Sequence, residues 1–454
     1  MKNIILLLFF PIISFSQTSI TNDNIHDAVD LWESNQTSAE AEYGHISNWD
    51  TSNVTSMTYL FYDFQSFNDD IGGWDVSNVT DMSYLFFFAI DFNQDISNWD
   101  VSNVANMQGM FYNALNFDNG FNPDGINSWD VSNVTNMSAM FMNQTYFSSD
   151  LSSWNVSNVT NMASMFRDVS SSSFQFLSQW DVSSVTNMSS MFSEAGGSFG
   201  DLGNWNVSSV TDMAGMFNES SVFDLSYHGL SNWDVSNVTD MSYMFAETGV
   251  FGNIENWDVS NVTLMVGMFY NATFFGADID PNAGDPVVMD LGLWNISNVT
   301  DMSNMFTNQE DTGIFYGLST TNYDKILIGW AQQDVTQGVH FYSFGVNYCE
   351  AENSRQYLID NFNWVIGDDG YDCSNLSINE ENMLEVSLYP NPTSSCIYIN
   401  SNTELEAVVF DILGKELIRE SINGELDVNS LEKGTYLLRL GDGINTSTHK
   451  IIKE

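Results

Sequence analysis

Asp or Asn directly follows Trp at ten places: Asp50, Asp75, Asp100, Asp130, Asn155, Asp181, Asn206, Asp234, Asp258 and Asn295. A regular file of carboxylates has three chemical uses. It can hold cations, accept hydrogen bonds from local backbone amides, or stay hydrated and charged. At the spacing of neighbouring strands, about 4.8 Å, two such charges repel by about 0.9 kcal/mol in water and several-fold more when partly desolvated. Asn fills the position three times, and an amide supplies no charge but still accepts a hydrogen bond. The substitution weights the reading toward a structural hydrogen-bond ladder. A cation-binding or ligand-binding face is the competing reading, and calcium is the one cofactor left open.

Other chemistry-bearing patterns are weaker. Asp278, Asp280 and Asn282 alternate like calcium-loop ligands, but the Gly falls one position late and Met289 stands where a closing Glu belongs. An inserted loop is the better reading. Gly196-Gly197-Ser198-Phe199-Gly200 matches a nucleophile elbow, yet no strand leads into it and no His is near. His26, His45, His228, His340 and His449 form no metal spacing. There is no glycine-rich phosphate loop and no CxxC pair. Carboxylates are too abundant for a glycosidase pair to stand out. The expectation is a protein that is not an enzyme, with no catalytic, cofactor-binding or metal residue assigned.

The elements that must position the file are a repeat. Each Asp or Asn is the second residue of a phrase, W-[DN]-x-S-[NS]-V-[TA]-x-M-x-x-[ML]-F, whose copies begin mostly about 25 residues apart. A period of about 20 to 50 residues signals a stacked array. In Ile71–Ala89, the spacing of Ile71, Trp74 and Val76 predicts a short strand with Trp74 and Val76 inward and Asp75 outward. Val79, Met82, Leu85, Phe86 and Ala89 follow at helical spacing and predict one or two helical turns. The Trp, Val, Met and Phe ladders are therefore core. Only the position after Trp is constant, outward and charged, so specificity is expected in the variable segments between phrases. Ile25, Ala28, Val29 and Trp32 predict a capping helix within residues 17–47, ahead of a ten-repeat solenoid over 48–310. Residues 311–373 carry no phrase and read as the closing cap.

Charge divides the 454-residue chain. The formal net charge is -49, and before residue 384 only Lys2, Arg167, Lys325 and Arg355 are basic. The remaining six Lys and Arg lie in the last 71 residues, which hold eleven of the 59 acidic residues. This step, after a linker at 374–383, marks a second domain over 384–454. Such acidity argues against nucleic acid, whose phosphates need Lys and Arg, and against anionic membranes. It favours cations and basic partners. Lys2, the apolar run Ile4–Ile13 and small Ser14 and Ser16 read as a signal peptide over residues 1–16. No later stretch is long enough to be a transmembrane span. In an exported chain Cys349 and Cys373 are candidates for a disulfide, and Cys396 is left over.

The phrase WDVSNVTDMSYMF at Trp233–Phe245 resembles the repeats of BspA-like bacterial surface proteins, which are of leucine-rich-repeat type. FNQDISNWD at Phe92, YGHISNWD at Tyr43 and RQYLIDNFNW at Arg355 match as well, so the resemblance covers roughly residues 20–373. It implies short parallel strands plus short helices, and an adhesion or interaction role without naming the ligand. LYPNP at Leu388, DILGKEL at Asp411 and KGTYLLRL at Lys433 resemble the C-terminal sorting domain of type IX secretion substrates. The alternating runs there independently predict a small antiparallel β-sandwich. This second resemblance implies export to the medium or the cell surface, with the secretion machinery as a partner. The expected function is adhesion or binding of an extracellular protein or polysaccharide through an extended acidic face. The alternative is a surface-layer or matrix component stabilised by divalent cations.

Overall fold

A computed structural model describes residues 17–122, 125–144, 147, 149–170, 174–197, 199–220, 229–249, 254–272, 290–308, 318–374, 386–400, 405–411, 415–441 and 446–454. The chain divides into two compact units between Asp372 and Cys373. The signal-peptide segment, the Asp278–Asp285 loop, Ser198 of the elbow-like pattern and residues 375–383 of the linker lie outside the described residues.

The first unit opens with α1 (Ile25–Ser34), whose buried Ile25, Ala28, Val29 and Trp32 share one face because they recur at helical spacing. One capping helix was expected, and two form. Asn35, at φ -156, interrupts the run, and its side chain accepts from the Ser38 N–H to start α2 (Gln36–Tyr43).

In the phrases that follow, the apolar ladders are buried. Ile71, Trp74, Val76, Val79, Met82, Leu85, Phe86 and Ala89 are each at most 3% exposed. The local backbone differs from expectation in two ways. No strand forms at Trp74–Val76. Asp75 Oδ1 takes the Ser77 N–H and Val76 O takes the Val79 N–H, so two of the amides a ladder would use are spent on turns. Parallel pairing occurs instead just before the first Met. It links Ser56, Asp81, Asn106, Asn136, Asn161, Asn187, Asp212, Asp240, Leu264 and Asp301 in chain order.

No helix forms over Val79–Ala89 either. The N–H groups of Met82, Tyr84, Phe86 and Phe88 donate to carbonyls of Asn106, Gln108, Met110 and Tyr112 in the next copy. Those of Leu85, Phe87 and Ala89 close turns onto the carbonyl three residues back. Tyr84 and Phe88 hold φ of 57 and 59, the left-handed third position of a type II turn. A helix would have spent all these amides within the copy. Consecutive turns divide them, and four of these seven bind the neighbouring phrase.

The pairing runs on into the cap, where β1 (Asp301–Met302), β2 (His340–Tyr342) and β3 (Val365–Gly367) form one parallel sheet. Between them lie α3 (Thr320–Trp330), whose N-cap Ser319 accepts from the Asn322 N–H, and α4 (Glu352–Phe362). The Asp324 carboxylate accepts from the N–H groups of Cys349, Glu350 and Ala351 at the start of α4, where helical amides lack partners. Arg355 is paired at 2.7 Å with the nearly buried Asp368. Cys349 and Cys373 are both disulfide-bonded and Cys396 is a free thiol.

In the second unit, one antiparallel sheet orders β10 (Thr446–Lys453), β9 (Gly434–Gly441), β6 (Leu405–Phe410) and β7 (Glu416–Ile422). The other orders β4 (Ser387–Tyr389), β5 (Cys396–Asn400) and β8 (Glu425–Asp427). Ile397, Ile399 and Leu426 of the second sheet share one buried cluster with Leu405, Ala407, Val409, Leu438 and Leu440 of the first. Among the described residues, no helix is long and apolar enough to cross a membrane.

Candidate functional site

All ten residues of the Trp-linked file are exposed. Each also accepts from the N–H two residues on, as Asp50 does from Ser52 at 3.1 Å and Asn295 from Ser297 at 3.2 Å. The serine hydroxyl often adds a second bond, at 2.6 Å to Asp50 and 2.8 Å to Asn155. These are Asx turns, which Asn performs as well as Asp. Bonds from the serine hydroxyl and then its N–H hold the carboxyls of Asp50, Asp130, Asp181 and Asp258 below the usual carboxylate range. Among the described residues, no three His, Cys, Asp or Glu side chains converge as metal ligands.

Sequence reasoning missed a second file, just before the first Met. Asp81, Asn106, Asn136, Asn161, Asn187, Asp212, Asp240 and Asp301 each accept from the N–H two residues on. It is half-buried, and it mixes four Asp and four Asn, with Leu264 in one copy. Burial pushes the Asp212 carboxyl up, and the charge of Asp240 adds to the rise.

Three further ladders tie the copies together on the Trp side. Each phrase Trp after the first donates Nε1 to a carbonyl just before the preceding copy, as Trp154 does to Ile126 at 2.8 Å, and Trp330 of the cap repeats the bond to Leu291, while Trp49 donates to Gly44 of its own lead-in. Asn158 Nδ2 donates to Ser132 O at 2.7 Å, and Thr160 Oγ1 to Thr135 O at 3.1 Å. The phrase Phe rings stack in sequence at 5.4 to 6.0 Å.

The Met side carries the variation. The first left-handed position of the ten copies holds Tyr59, Tyr84, Gly109, Ala139, Ser164, Ser190, Gly215, Tyr243, Gly267 and Asn304, all at φ between 54 and 63. Where this position is small, the preceding residue can lie over it. A Cβ on Gly267 would fall 2.5 Å from Cε1 of Tyr243.

Small residues at Ser190 and Gly215, between Arg167 and Tyr243, leave a groove of about 580 Å³. Ser189, Ser193, Asn218 and Ser242 add hydroxyl and amide groups, and Asp212, Glu219 and Glu247 add carboxyls. Tyr243 is 44% exposed, and Tyr270 also lines the groove. Arg167 is the only basic residue within the ten phrases and their connecting segments, and it pairs with Glu194 at 2.7 Å. Burial, and then the charge of Glu194, raises the neighbouring Asp168 carboxyl. Arg167, Ser193, Asn218, Glu219, Glu247 and Tyr270 lie in the segments between phrases, where variation was expected, and Ser189, Ser190, Asp212, Gly215, Ser242 and Tyr243 lie at variable positions within the phrase. The signal was the pair of unfixed residues in M-x-x-[ML].

The repeats match a family profile described as Mycoplasma protein of unknown function, DUF285, at residues 29–123, 118–226, 197–287 and 282–315. Residues 387–454 match the secretion system C-terminal sorting domain. No curated protein matches the chain. The sorting domain makes this a secreted or outer-surface protein linked to the type IX secretion machinery.

Proposed function

The chain belongs to the DUF285 family of proteins of unknown function, and we propose that it is a non-enzymatic adhesion or binding protein. Its architecture, on this reading, is a solenoid of leucine-rich-repeat type with BspA-like repeats, followed by a sorting sandwich. It engages an extracellular polysaccharide or protein through the acidic face that the Met-side turns present.

The observation that carries this reading is the groove between Arg167 and Tyr243. Its volume of about 580 Å³ falls in the range of roughly 300–1,000 Å³ typical of ligand sites. A lining of hydroxyls, carboxyls, an amide and two tyrosines suits a hydroxyl-rich chain, which needs directional hydrogen bonds and ring faces together. A polysaccharide is therefore favoured over a protein. The Trp-side carboxylates support the reading indirectly, because Asx turns already use them.

The test is glycan-array binding by the full-length protein and by Tyr243→Ala. Selective retention of a glycan that the variant loses supports the proposal. The matrix alternative expects calcium-dependent self-association and no selective ligand, and that outcome would displace it.

A further inference from the structure

Two surface stacks of aromatic rings begin at one pocket. Tyr59 stacks on Tyr84 at 4.6 Å with an interplanar angle of 10°. Tyr62 stacks on Phe87 at 5.0 Å, and Phe87 on Tyr112 at 4.6 Å. Both stacks run toward later copies, so each covers one face of its first ring and leaves the opposite face outside the stack. The two first rings meet at 64° with centroids 5.6 Å apart, and both residues are 47% exposed. With Leu60, Phe64 and Asp30 of α1 they line a pocket of about 390 Å³. No Lys or Arg occurs between residues 17 and 166, so that stretch supplies neither an ammonium nor a guanidinium to balance Asp30; its basic side chains are His26 and His45.

We infer that this pocket binds an organic ammonium group. Two inclined ring faces attract a cation through their quadrupoles, and methylated ammonium ions fit such cages because their shell is apolar while their charge is not. Leu60 and Phe64 contact the shell, and the Asp30 carboxylate complements the charge. The formal net charge of -49 concentrates cations near the surface and repels anionic ligands. A neutral sugar could stack on the same rings but would leave the charge of Asp30 unused. The pocket is lined by α1 and by residues at and just after the end of the first phrase, whereas the groove is lined by residues from Arg167 to Tyr270, so the two inferences stand or fall separately.

The test titrates the full-length protein with tetramethylammonium chloride at constant ionic strength, read by saturation-transfer NMR and calorimetry. tert-Butanol serves as the neutral counterpart and glucose as the sugar. Saturable tetramethylammonium binding is expected, weakened about tenfold or more by Tyr59→Leu with Tyr62→Leu. The Tyr→Phe pair, which keeps both rings, should bind as before. Asp30→Asn, at an exposed helical position, should weaken binding several-fold with no change in melting temperature. Choline and a trimethyllysine peptide then separate a free cation from a protein-borne one, and binding of either supports the inference. Equal affinity for tert-butanol, preference for glucose, no binding of tetramethylammonium, or indifference to both Asp30→Asn and the Leu pair would overturn it.

Discussion

The Trp side and the Met side of each repeat are built from the same thirteen residues and do opposite things with their surfaces. On the Trp side every copy repeats one hydrogen-bonded turn, whether the residue is Asp50 or Asn155. On the Met side one backbone conformation carries Tyr, Gly, Ala, Ser or Asn in turn. The constant polar group of the Trp side is committed to its own backbone, whereas the groove adds to one such group, Asp212, the side chains of Arg167, Glu219, Glu247 and Tyr243. A surface whose conformation is fixed by inter-copy hydrogen bonds, while its side chains vary freely, can be shaped without cost to the stack. On the proposed reading, the scaffold lies on one side and recognition on the other.

The largest break in that comparison is Trp154→Ala against Tyr243→Ala. Trp154 is 3% exposed, stacks on Trp129 at 6.4 Å and donates to Ile126 O. Its loss should cost about 3–5 kcal/mol. Tyr243→Ala should stay within about 1 kcal/mol, because the ring is half exposed and the turn needs no particular side chain. Urea denaturation of both variants checks the pair, and equal losses would erase the distinction.

A finer test concerns the Asn ladder. Asn158→Ala removes the bond to Ser132 O and should cost about 1 kcal/mol. Two copies carry Ser at this place, Ser184 and Ser209. Ser184→Asn should regain up to about 1 kcal/mol if the ladder bond forms there, read as a shift in the same denaturation midpoint.

The smallest effects are in pH, and the two sides should differ in sign. Asp181 has its carboxyl lowered in the folded chain. Its contribution is present above the ordinary Asp value of 3.8 and is lost as pH falls through the lowered folded value. Asp212 has its carboxyl raised. Its folded form takes up the proton first, so its contribution is full below the ordinary value and is lost as pH rises through the raised one. Asp212→Asn should therefore stabilise at neutral pH and not in acid. Asp181→Asn should keep the turn while flattening the acid loss. Melting temperatures across pH 3 to 7 measure both, as an order-of-magnitude span around carboxylate titration. The same sign for the two variants would contradict the contrast.

The buried ladders were legible because Trp, Val, Met and Phe recur at constant spacing, and Trp74, Val79, Met82 and Phe86 are indeed core. The local conformation was not. Met82, Leu85, Phe86 and Ala89 have the spacing of a helical face, and two consecutive turns bury the same residues. Periodicity reports which side chains go inward; it does not report whether an amide bonds within the copy or to the next one. The half-buried file at Asp81 stayed hidden because Ser56 and Leu264 interrupt its Asp and Asn, so the position before the first Met shows no fixed residue type. The groove at Ser190 and Gly215 stayed hidden because it is defined by what is small. A gap between Arg167 and Tyr243 exists only once the copies are stacked.

The most direct measurement is binding to the glycan array by two variants of the full-length protein. One carries Arg167→Ala, Tyr243→Ala and Tyr270→Ala on the Met side. The other carries Asp→Asn at Asp130, Asp181, Asp234 and Asp258 on the Trp side. The expected result is loss of the retained glycan by the first variant, with binding by the second kept and both melting close to the parent. Retention by the first and loss by the second would place recognition on the Trp side and contradict the division.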